Sequence, residues 1–177
     1  MSDALFQILG MNWNRELFPL PLQRGEAVRA VKRYLKSLPQ FVWEAAQLEG
    51  NPYTFPEVQT LLDGITVGGR KLSDTQQILG LRDSMKLVAQ TVLDGSFAVS
   101  KRMACDLNAL IARDEALEWG QFRGEGREMS NVSVALGYMS YQPKPTEPGG
   151  KNLTTSFEAG ISALNAHVTD PSERALP

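Results

Sequence analysis

Apolar residues recur every three to four positions along most of this chain, the spacing of helices that pack on one face. From Arg24 to Leu38 the run RGEAVRAVKRYLKSL sets Val28, Val31, Leu35 and Leu38 on one stripe with the charged residues opposite. Pro39 breaks that run and suits the first turn of a second helix, Gln40 to about Leu48. There Phe41, Val42, Ala45 and Leu48 form the stripe, and Trp43 and Ala46 widen it. So broad an apolar arc predicts a helix packed over most of its surface. Gly50 supplies the stop, and Asn51-Pro52 carries the chain away.

Thr54 and Glu57 form a capping box with Pro56 in the first turn, opening a short helix through Val58, Leu61 and Leu62 to Gly64. ITVGGRKL predicts a turn or a short strand pair bent at Gly68-Gly69. Ser73 is expected to cap a long helix whose inward stripe is Ile78, Leu81, Met85, Val88, Val92 and Leu93, closed by Asp94-Gly95. Ser100 caps another, with Met103, Leu107, Leu110 and Ile111 inward. After Gly120 the period changes. Val132, Val134 and Leu136 alternate, Gly137 bends, and Tyr138, Ser140 and Tyr141 follow, a β-hairpin standing beside a helical body. A last amphipathic helix spans roughly Thr154 to Ala166 with Phe157, Ile161 and Leu164 inward. In TDPSER, Asp170 at a cap, Pro171 in the first position and Glu173 in the first turn announce one more helix, and Pro177 follows within about two turns. A strong start with so little helix behind it leads us to expect a longer polypeptide.

With 177 residues, 42% of them hydrophobic, the chain is long enough for one domain with a real core. Lys and Arg number 18 against 20 Asp and Glu, a formal net charge of -2, which argues against a nucleic-acid-binding surface. The densest basic run, Lys32, Arg33 and Lys36, reads as a solvated helix face. Cys105 is the single cysteine, so no intramolecular disulfide or thiolate metal site forms and a cytoplasmic location is expected. Its apolar helical spacing makes it a buried core thiol. The N-terminal stretch lacks the basic and apolar regions of a signal peptide, and no stretch approaches a membrane span.

Candidate chemistry is sparse. His167 is the only histidine, so it cannot be half of a metal pair, and it reads as a solvated surface residue. Asp114, Glu115 and Glu118 read as salt-bridged surface carboxylates, and Phe122, Tyr138 and Tyr141 as residues packing the hairpin against its support. Glu49 is different. It follows an apolar helix at the C-terminal end, where the helix field disfavours an anion.

The runs LEGNPYTFPEVQTLL, LSDTQQILGLRDSMKLV, DLNALIARDEALEWGQFRGEG and VSVALGYMSYQPKP together resemble, in order, the front portion of a Fic-family (Fido-fold) protein, covering about Leu35 to Arg174. That family carries an inhibitory helix with the motif S/T-x-x-x-E-G/N. Glu49 and Gly50 fall on its last two positions, while Ala45 stands where the hydroxyl residue would be. Gly120, Phe122 and Arg123 match the family's G-x-aromatic-R element, and Asn108 stands where many members have histidine. By position, the hairpin corresponds to the flap that holds a target segment by strand pairing.

The resemblance implies a mainly helical, all-α Fido-type fold with one β-hairpin flap, present as an incomplete domain. Residues 1–51 would be N-terminal helices including the inhibitory one, and 52–177 the first part of a Fic domain with its flap at about 131–142. It implies AMP transfer from ATP, with Mg, to a hydroxyl side chain of a target protein docked on the flap through Val132, Val134, Leu136 and Tyr138. Glu49 would be the inhibitory carboxylate, paired with an arginine that otherwise clamps the ATP phosphates. The family signature H-x-F-x-D/E-G-N-G-R/K is not in the sequence, and no Gly-Asn pair follows His167, so that histidine takes no catalytic role. This chain alone is expected to hold no cofactor and to be inactive. The family also allows a homo-oligomer. Two alternatives stand beside this reading: a non-enzymatic helical binding module descended from a Fic protein, and a product with no stable fold.

Overall fold

The structure, a computed structural model, describes residues 2–17, 25–129, 131, 133–136 and 139–174. It is mainly helical. In chain order the elements are α1 (Ser2–Leu9), a 3-10 turn at Arg15–Leu17, α2 (Ala27–Lys36), α3 (Leu38–Leu48), α4 (Phe55–Leu62), α5 (Leu72–Leu93), α6 (Lys101–Ile111), β1 (Val134–Leu136), β2 (Met139–Tyr141), α7 (Lys151–His167) and α8 (Pro171–Arg174). They fall into two compact units interleaved along the chain: one of residues 25–98 and 102–121, the other of 1–24, 99–101 and 122–177.

The core of the first of these units gathers Leu38, Val42 and Ala46 of α3, Tyr53, Val58 and Leu61 of α4, and Ile78 and Leu81 of α5. The inward line of α3 therefore advances four residues at a time. Leu48 lies about 200° round the helix from Ala46 at 100° per residue, and it is 88% exposed. Phe41 is also exposed and stacks on Tyr34 with ring centroids 5.5 Å apart. The expectation that α3 is packed over most of its surface is thus corrected: one line is buried and the opposite face is wet. In α2 only Val31 is buried, while Val28 and Leu35 are exposed, and Leu38 belongs to α3. The Thr54–Glu57 capping interaction is present, with Thr54 N donating to Glu57 Oε2 at 2.8 Å.

Further corrections concern helix boundaries. α5 begins at Leu72 after Lys71, so Ser73 lies inside the first turn and does not cap it. Its buried positions are Ile78, Leu81, Ser84 and Ala89; Met85, Val88 and Val92 are half-buried and Leu93 is exposed. α6 passes close to α5 at Gly80, where a Cβ would sit 2.5 Å from the Leu110 carbonyl oxygen. α6 has no fully buried residue, and Cys105 is half-buried rather than a core thiol. Between α4 and α5 the described backbone makes a turn at Gly68-Gly69 and no strand.

In the other unit α1 packs along α7, and Leu5, Ala163 and Val168 form the core with Leu9, Trp13 and Leu164 against them. α7 starts at Lys151, three residues earlier than the apolar pattern marks, after Gly150 in a left-handed conformation. Asp170 opens α8 as read, its Oδ1 accepting from Ser172 N at 2.9 Å and Glu173 N at 3.1 Å. Gly124 supplies the carbonyl that accepts from Gly149 N at 2.6 Å, an approach that leaves no room for a side chain. β1 and β2 pair antiparallel with Val134 opposite Tyr141, Ala135 opposite Ser140 and Leu136 opposite Met139, inside the expected 131–142.

Candidate functional site

The end of α3 is closed by backbone alone. Gly50, at φ +76°, donates to the Gln47 carbonyl at 3.1 Å, and Asn51 N donates to the Ala46 carbonyl at 2.9 Å. These two bonds are the paired closure of a Schellman motif, which requires a left-handed residue where Gly50 stands. Glu49 is thereby made the capping residue that follows Leu48, with its side chain in solvent.

The three residues that follow are nailed to their surroundings. Asn51 is buried; its Nδ2 donates to the Asp74 carbonyl at 2.9 Å and Gln77 Oε1 at 2.7 Å, and its Oδ1 accepts from Tyr53 N at 3.0 Å. Gln47 Nε2 donates to the carbonyls of Asn51 and Tyr53, and Trp43 Nε1 donates to Tyr53 as well. The buried Tyr53 ring carries its hydroxyl to Thr75 Oγ1 at 2.7 Å. Arg70 lies 5.3 Å above that ring and reaches both oxygens of Glu57. Its guanidinium, with Thr54 helping, pulls the Glu57 carboxyl down to about 2. So a dense polar net fixes the backbone at Glu49, while the carboxylate itself has no ionic partner among the described residues.

Ala45 is half-buried against the core. Asn108 Oδ1 accepts from Gly120 N at 2.9 Å, and Gly120 takes φ +72°. Phe122 meets the Phe157 ring edge-on at 5.4 Å with Lys101 5.2 Å from its centroid, and Arg123 donates to the Lys144 carbonyl at 3.1 Å. Val134 and Leu136 lie in β1, whereas Val132 and Tyr138 are outside the described residues. Tyr141 is exposed. His167 is exposed at the end of α7. Glu115 is exposed and accepts from Gln77 Nε2 at 2.7 Å, an amide partner rather than the expected ion pair.

No protein-family model, curated protein or solved structure matches the chain. The Fic resemblance therefore stands on its sequence motifs. Among the described residues no three His, Cys, Asp or Glu side chains gather to hold a metal ion. Among them, too, no helix is long and apolar enough to cross a membrane.

Sequence reasoning singled out Glu49 and Gly50 but missed Asn51, Gln47, Tyr53 and Arg70. The Asn-Pro step after the glycine stop marks only a change of direction, and nothing local announces partners more than twenty residues away.

Proposed function

We propose that these residues form the regulatory and target-docking portion of a Fic-type AMP transferase, with Glu49 as the brake. One observation carries the proposal: an exposed carboxylate without an ionic partner among the described residues sits on a helix end held rigid by the Schellman closure and the Asn51 net. An anion there is at odds with its own helix field and gains most from a cation brought to it. Gly50 serves the brake by ending the helix at Glu49. The β1–β2 hairpin would dock the target by strand addition through Val134 and Leu136 of β1, with Val132 and Tyr138 also assigned to docking. ATP and Mg would be held by the catalytic signature, which these residues do not include.

The test uses labelled Mg-ATP. The 177-residue chain should label neither itself nor a lysate. In a polypeptide that carries this chain together with the catalytic signature, Glu49→Gly should raise labelling at least tenfold, about 1.4 kcal/mol of released inhibition. Unchanged labelling sinks the brake assignment; if the hairpin still captured a peptide, the binding-module reading would take its place.

A further inference from the structure

We infer that the corner between α2 and α3 binds a small organic phosphate. α2 carries Arg29, Lys32, Arg33 and Lys36 and no carboxylate, in a chain of net charge -2. Arg33 and Lys36, three residues apart and hence neighbours on one helix face, border a groove of about 510 Å³. Its opposite wall is Phe55 and Gln59 of α4, with Pro39 at its base. That volume is in the range of small-molecule sites.

Neither cation has a side-chain partner among the described residues. Two carboxylates of this unit pair with other cations, Glu26 with Arg29 at 3.8 Å and Glu57 with Arg70, and Glu44 accepts from Gln40 Nε2 at 2.8 Å. The helix field does not account for the pair either. α2 ends and α3 begins on the same residue, Ser37, so the negative end of one helix faces the positive end of the next and the two fields offset.

The groove is therefore a local excess of positive charge bounded by a flat apolar surface. The Phe55 ring is held by an edge contact with Trp43, centroids 5.8 Å apart, and so presents a fixed face. A dianionic phosphate between Arg33 and Lys36, with an attached ring on Pro39 and Phe55 and Gln59 free to donate, satisfies all of these groups at once.

The intact chain is titrated with phenyl phosphate, with inorganic phosphate and with chloride at matched ionic strength, followed by amide NMR. Saturable shifts confined to residues 33–40 and 55–59, with phenyl phosphate about tenfold tighter than inorganic phosphate, are expected. The double variant Arg33→Gln, Lys36→Gln should abolish saturation; both side chains are exposed, so its melting temperature should match the parent. Shifts that chloride reproduces, or saturation that survives in the double variant, would overturn the site. Equal affinity for the two phosphates would overturn its organic half.

Discussion

Arg15 donates through Nε and Nη2 to the carboxylate of Glu173, 158 residues later in the chain. Trp13 Nε1 donates to the same carboxylate at 2.8 Å, and Arg15 Nη2 also reaches the His167 carbonyl at 2.7 Å. The Glu173 side chain is only 5% exposed. The Arg15 hydrogen bonds nevertheless hold it below its ordinary 4.5, against the opposing effect of burial. Glu173→Gln should cost about 2 kcal/mol at neutral pH. Because the folded value is depressed, the charged pair stabilises fully above pH 4.5 and its contribution fades as pH falls through that depressed value. Urea unfolding of parent and variant should differ clearly at neutral pH and converge in acid. A gap that stays constant with pH would mean that packing, not charge, is what the substitution removes.

A second carboxylate offers a cleaner titration. Glu57 is pulled down to about 2 chiefly by Arg70, then by Thr54. In Arg70→Ala its carbon-detected NMR titration should rise well toward 4.5, with Thr54 alone keeping it somewhat lower. The parent's extra stability from this pair should be present above pH 4.5 and disappear between there and about 2. A titration that does not move would remove Arg70 as the cause.

Glycines separate two kinds of cost. Gly80→Ala drives a methyl against the Leu110 carbonyl and should lose about 1–3 kcal/mol. Gly124→Ala meets the Glu147 carbonyl and also holds φ +88°, so its loss should be larger. Gly95→Ala, at φ +74° with open space around it, isolates the backbone cost of about 1 kcal/mol. Thermal melts should place Gly124→Ala lowest, Gly80→Ala between, and Gly95→Ala nearest the parent.

On α3, Val42→Ala should cost about 2–3 kcal/mol by opening the core, and Leu48→Ala no more than about 0.5. Chemical denaturation of the pair checks which arc of the helix faces inward. Comparable losses would restore the fully packed helix that the apolar pattern predicts.

That last pair shows how far the sequence could be read. Three short-range signals were legible: the Thr54–Glu57 cap, the Gly50 stop, Asp170 ahead of Pro171. Each has its partner inside the same turn, so residue type and spacing specify it. The helical character and the hairpin's position followed from period alone. The inward face of α3 did not, because an apolar arc as wide as Phe41 to Leu48 fits several orientations and only the helices packed on it choose one. α1 went unread for a related reason: it is only eight residues long, and its partner α7 lies far along the chain. Glu173 was read as a first-turn acid, which it is, yet its carboxylate serves Arg15. At the candidate site, Glu49 was visible because it violates a local rule, whereas Asn51 and Arg70 obey every local rule and act across more than ten residues.

The interleaving of the two units orders events on the ribosome. Residues 25–121 supply every side chain of the core around Val42 and Ile78, so that body is ready to consolidate while the remainder is still being translated. α1 must wait for α7, so Leu5 and Leu9 stay uncovered until α7 has been made. It is thus a segment through which a chaperone would meet the nascent chain.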